Sequence, residues 1–176
     1  FRMRCALNDA AQPSAVRLVD RGRYVGTWYE IARLPMRHEP EDYTDVTATY
    51  SVKEDGSVRV DNRARSRDGQ VHQSIGEAVV DEGSHGAKLK VSFMPDGLKW
   101  IPFTKGDYWI LRLDNEYQVA LVGSPDRKYL WLLARSPQLQ PAVVQEYLAT
   151  ARQQGFDLDD LITTPQHGRP VQDAEL

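Results

Sequence analysis

Histidine, cysteine and the acids supply metal ligands, nucleophiles and proton carriers, so their spacing is the first test for chemistry. His38, His72, His85 and His167 are scattered along the chain with no two at metal-ligand spacing. Cys5 is the sole cysteine, so it has no internal disulfide partner and no second thiolate with which to hold a structural zinc. No Gly-x-Ser-x-Gly elbow, His-Glu-x-x-His helix or phosphate-cradling glycine loop occurs. Asp159-Asp160 reads as a solvated turn, and alternation brings no pair of acids onto one face. The expectation is a chain with no catalytic residue, no metal and no cofactor.

The residues that could do something else are small and aromatic. Along strand-like runs, Ala32, Ala48, Ala64, Gly76 and Ala78 fall on the inward side by alternation, and they are too small to fill an interior between them. Larger residues on the same side, Tyr50, Val60, Leu89, Val91 and Phe93, would form apolar walls of the kind that hold an acyl chain. Tyr108, Ile110, Trp131 and Leu133 are assigned inward on the sixth and eighth strands. Asn62, Glu30 and Arg112 are candidate partners for a polar head, and an inward Glu30 must be paired or close to water.

Those positions require strands to carry them. Turn signals at Asp55-Gly56, Asp68-Gly69, Gly83 to Gly86, Pro95-Asp96-Gly97, Asp114-Asn115 and Pro125-Asp126 divide the chain into eight short runs. They are Tyr24–Leu34, Asp45–Lys53, Ser57–Arg65, Gln70–Asp81, Ala87–Met94, Gly106–Leu113, Tyr117–Gly123 and Lys128–Arg135. In the third, Val58, Val60, Asn62 and Ala64 oppose Arg59, Asp61, Arg63 and Arg65, so one face is wet. Charges there argue against an outer-membrane barrel, whose outside must be apolar.

The last three strands are apolar on both faces and need a cover. Pro141 as a first helical residue, Val144, Tyr147, Leu148 and Ala151 at helical spacing, and Gly155 as a stop predict the helix that covers them. The fold class is therefore all-β: an eight-stranded antiparallel up-and-down barrel with a C-terminal α-helix packed outside. The expected organisation is a flexible N-terminal segment over 1–20, barrel and helix over 21–162, and a polar, poorly ordered tail over 163–176.

In such a meander the start of the first strand and the end of the eighth share one end of the tube. Trp28 and Arg135 then meet, and the guanidinium can stack on the indole as a floor. The loops 35–44 and 95–105 fall at the opposite, open end, where Met36, Tyr43, Leu98, Trp100, Ile101 and Phe103 form an apolar rim contacting ligand, membrane or a second subunit.

The run Gly26-Thr27-Trp28-Tyr29-Glu30-Ile31-Ala32-Arg33, the late Arg135, and Ala120-Leu121-Val122-Gly123 with Tyr129 to Arg135 resemble the signatures of the lipocalin family, its bacterial members and the apolipoprotein D branch above all. The resemblance spans about Tyr24 to Leu161. It implies structural closure by Gly26, Trp28 and Arg135, and a cup binding fatty acids or lysophospholipids for membrane upkeep or transport. Ligand contacts are then assigned to the inward residues above, from Tyr50 to Leu133 and including Ala78 and Asn62, together with Trp100 and Phe103 on the rim. For bacterial members it implies a lipoprotein of the cell envelope, at the outer membrane or facing the periplasm. Cys5 stands near the place of their lipid-modified cysteine, although Met3-Arg4 is not the small apolar lead-in that lipidation requires.

Two other classes compete: a carrier of a pigment or haem-like ring, and a lipid-modifying enzyme. Acidic and basic side chains, 25 against 22, are mixed along the chain with a net charge of −3, which excludes a nucleic-acid footprint. No apolar run is long enough for a transmembrane helix. A homodimer through the rim stays open.

Overall fold

The computed structural model describes residues 12–36, 40, 42–93 and 105–176. A helical turn α1 (Arg21–Tyr24) precedes eight strands, β1 (Gly26–Arg33), β2 (Thr44–Val52), β3 (Val58–Arg65), β4 (Val71–Val80), β5 (Lys88–Phe93), β6 (Lys105–Leu113), β7 (Val119–Gly123) and β8 (Leu130–Ala134). Helix α2 (Pro141–Gln153), a two-residue strand β9 (Ile162–Thr163) and a 3-10 turn at Asp173–Glu175 follow. Each strand pairs antiparallel with the next. β1 pairs with both β2 and β8, so the sheet closes into a barrel. Alternation in the sequence becomes two apolar layers. The inner one includes Trp28, Val60, Ile110 and Leu133. The outer one lies between the sheet and α2 and includes Leu111, Leu121, Leu130, Leu132, Tyr147 and Ala151. The double-faced late strands are thus covered as their composition requires.

The sheet has three register shifts, one of them on β2 between Thr44 and Thr47, and the other two change which of the expected residues face inward. A bulge sets two residues of one strand against one of its neighbour, so alternation slips by one beyond it. The β1–β8 register shifts between Glu30 and Ala32. Ala32, expected inward, therefore joins the outer layer beside Ile31. The β6–β7 register shifts between Ile110 and Arg112. Arg112, a candidate head-group partner, consequently lies outside. There it donates to Thr150 Oγ1 at 2.8 Å, pairs with the Glu146 carboxylate, and stacks over the Tyr147 ring at 4.3 Å.

The chain ends also depart from expectation. Val16 N–H donates to Ile110 O and Val19 N–H to His85 O, each at 2.9 Å, and the Val19 side chain is buried against the inner layer. The described part of the N-terminal segment is therefore stitched to the barrel. The tail after Ile162 is polar, yet it is hydrogen-bonded along its length. β2 pairs with β1 only over Gly26 to Tyr29, and beyond that β9 pairs with Ala32 and Arg33. Gln166 Nε2 bridges Glu30 O at 2.9 Å and Val46 O at 3.0 Å. The buried Asp45 carboxylate accepts the N–H of His167 at 2.9 Å and of Arg169 at 3.1 Å. Arg65 then holds Glu175 at 2.8 Å. The tail fills the wedge where the first two strands part, which composition alone could not reveal.

Candidate cavity and its closed end

The lower end is built from the Gly-x-Trp run. Trp28 is fully buried, its Nε1–H donates to Tyr24 O at 2.8 Å, and the Arg135 guanidinium lies 3.9 Å from its ring centroid. Arg135 also donates to Thr27 O, Arg23 O, Tyr24 O and Tyr117 O at 2.8–3.1 Å, tying α1, β1 and the β6–β7 turn together. Gly26 sits at φ +102°, and an added Cβ there would lie 3.2 Å from Arg135 Nη1. Backbone conformation and close approach both call for glycine at that point.

Above this floor the barrel encloses a cavity of about 100 Å³. Tyr50, Val60, Asn62, Ala78, Leu89, Val91, Phe93, Tyr108, Ile110, Trp131 and Leu133 all line it. Every expected ligand contact among the described residues is therefore on one continuous wall. Trp100 and Phe103 lie outside the described residues, as do Leu98 and Ile101 of the expected rim. Met36 and Val46 line the upper part, and Tyr43 packs with Val46 and Ala64 in a small cluster beside Phe93.

Small inward residues contribute unequally to the open space. Ala48 and Ala78 line the cavity. At Gly76, by contrast, a Cβ would stand 2.7 Å from the Phe93 ring, so that aromatic occupies the room the glycine leaves. The interior is accordingly narrower than a count of alanines and glycines suggests.

Polar side chains interrupt the apolar wall, Arg21 and Thr47 among them. Glu30 is buried, 3.5 Å from Arg33 Nε, and accepts from Thr164 Oγ1 at 2.7 Å. Burial pushes its carboxyl above the ordinary carboxylate range against the opposing pull of Arg33 and Thr164. It is paired, as its position demanded. Asn62 faces the cavity from β3. At the closed end Tyr24, Tyr50 and Tyr108 meet, the Tyr108 hydroxyl lying 2.6 Å from that of Tyr24 and 3.0 Å from that of Tyr50. Tyr24 is absent from the expected site because the first strand was expected to begin there. The signal for its true place is Asp20, which caps the turn by accepting from Gly22 N–H at 2.9 Å.

The histidines go their separate ways. His72 stacks on Tyr43 with ring centroids 5.0 Å apart, and His85 occupies a turn at φ 52°. No group of three His, Cys, Asp or Glu suited to a metal ion occurs among the described residues.

Comparison with known proteins agrees with this geometry. The family described as a lipocalin-like domain matches residues 19–166. The chain belongs to the lipocalin family. This lipocalin is 42% identical to the outer membrane lipoprotein Blc of Escherichia coli K12, over 93% of its own length and 90% of the relative's. It is 38% identical to temperature-induced lipocalin-1 of Arabidopsis thaliana, covering 93% and 88%, and 32% identical to mouse apolipoprotein D, covering 93% and 86%. Among solved structures, apocrustacyanin C1 superposes with a TM-score of 0.69 over 89% of this chain and 84% of that one. At 16% identity that likeness speaks for the fold alone.

Proposed function

We propose that this lipocalin binds an amphiphile with a flexible hydrocarbon chain, a fatty acid or lysophospholipid, and carries or stores it in the cell envelope for membrane maintenance. The observation that carries the reading is the closed barrel with an apolar-walled cavity. Burial of each methylene there contributes about 0.8 kcal/mol, so a short length of chain accounts for useful affinity. A cavity of about 100 Å³ is smaller than the ~150 Å³ that accommodates a benzene molecule, which favours a slender chain over a haem-sized ring. The envelope location draws on the relatives named as outer membrane lipoproteins. Binding without transformation is favoured because the polar groups described on the wall, Glu30 held by Arg33 and Thr164 and the three tyrosine hydroxyls held in a row, are not arranged as nucleophile and base. Any contact of the rim with a membrane surface or a second subunit belongs to the same proposal.

The test is native mass spectrometry of the purified chain, followed by extraction and reloading with lysophospholipid and fatty acid. One intact amphiphile per barrel, recovered unchanged after incubation, is expected. A chain that retains none, or that returns cleaved product, would overturn the proposal. Complexes of two chains with two lipids would in addition report a dimer.

A further inference from the structure

The closed end of the cavity is not apolar. Tyr24, Tyr50 and Tyr108 line the cavity and place three hydroxyls in a row, 2.6 and 3.0 Å apart. Each phenol has one proton to donate and lone pairs to accept. Two oxygen–oxygen contacts consume two of the three protons, however the donors are oriented. One O–H is therefore left over at the bottom of the cup.

The rings cannot swing away to find another partner. Tyr24 lies against Trp28 with centroids 5.1 Å apart and stacks on Tyr50 at 5.7 Å, while Tyr50 meets Tyr108 edge-on at 6.0 Å. Beneath them the Arg135 guanidinium rests against the far side of the floor, 3.9 Å from the Trp28 ring. A fixed positive charge thus stands behind the hydroxyls, and its field favours negative charge at the cavity's end. Of the charged side chains that line the cavity, Glu30 is already answered by Arg33 at 3.5 Å, and Arg21 donates to Gly56 O.

From this arrangement we infer that the floor is an acceptor-binding subsite, and that the ligand class it selects is a free fatty acid inserted carboxyl-first, with its hydrocarbon chain running toward the mouth. A methyl end would leave the spare donor unmet, whereas a carboxylate takes it and accepts a charge-assisted hydrogen bond. A lysophospholipid cannot satisfy the floor, because its head group is too large to pass down the barrel. This rests on the proposal that the cavity takes an acyl chain, and sharpens it.

Decanoic acid labelled with carbon-13 at either the carboxyl or the terminal methyl tests it by NMR at pH 7 with a soluble paramagnetic agent. The expected result is a bound carboxyl signal protected from the agent and a methyl signal broadened by it. Calorimetry with the triple variant Tyr24→Phe, Tyr50→Phe and Tyr108→Phe, which keeps the rings and deletes every hydroxyl of the row, is expected to show affinity for decanoic acid about tenfold weaker. Should that variant lose its cooperative melt, the carboxylate stretch of bound carboxyl-labelled decanoic acid serves instead, expected to shift from that of the free acid through the hydrogen bond to the floor. Protection of the methyl with broadening of the carboxyl would overturn the inference and leave the carrier reading standing. So would a protected carboxyl with affinity unchanged in the folded triple variant, or with an unshifted carboxylate stretch. No binding of decanoic acid to the wild-type chain would overturn both.

Discussion

Single residues carry three measurable consequences. Trp28 is fully buried beneath the cavity and under the Arg135 guanidinium. Trp28→Ala removes a large side chain from a packed floor, and a loss of about 3 to 5 kcal/mol is expected, read as a lowered denaturant midpoint. A midpoint near the wild-type value would mean that the floor does not close the barrel. Val91 projects into the cavity from β5. Val91→Asp places an unpartnered carboxylate on an apolar wall and is expected to abolish fatty-acid uptake while β-type circular dichroism persists. Unchanged uptake would show that the chain lies elsewhere.

The tyrosines give the pH dependence. Burial pushes the phenols of Tyr24 and Tyr108 well above their usual range, and that of Tyr50 up to about 12. Unfolded, each ionises near pH 10. The folded chain then holds protons that the unfolded chain releases, so the stability of this cluster is fully present below pH 10 and is lost as pH rises toward 12. The expected slope is about 1.4 kcal/mol per pH unit for each such tyrosine. Thermal melts of wild type and Tyr50→Phe across that window should diverge, the variant falling less steeply; parallel curves would show that Tyr50 titrates as it does in the unfolded chain.

Among the elements, the bulges and the tail are what sequence could not supply. Period-two alternation reads correctly wherever pairing is regular, which is why Val58, Val60, Asn62 and Ala64 of β3 face as predicted. It fails at Ala32 and Arg112, because a bulge is a property of two paired backbones rather than of one strand's residues. The tail was hidden for a related reason: Asp45 and Gln166 look like ordinary polar residues until the parting of β1 and β2 gives them backbone groups to satisfy. Asp45→Ala is expected to strip two acceptor contacts from His167 and Arg169. About 1 to 3 kcal/mol of local stability should be lost. Hydrogen exchange at those two amides reports it, and unchanged protection would assign the anchoring to β9 alone.

The molecule as a whole was more legible than its parts. Eight strands, closure of first on last and a covering helix follow from turn spacing, Trp28 with Arg135, and the double apolar face of the late strands. The walls of the cavity were legible for the same reason, whereas its volume was not: Phe93 fills the space over Gly76, and side-chain packing across strands cannot be counted from one strand at a time. Two apolar layers separated by a single sheet make the central claim directly measurable. With methyl-labelled isoleucine, leucine and valine, titration of decanoic acid is predicted to shift the inner methyls of Val60, Leu89, Val91, Ile110 and Leu133 and to leave those of Leu111, Leu121 and Leu132 beneath α2 in place. Shifts confined to the outer set, with the inner set unmoved, would contradict a ligand held inside the barrel.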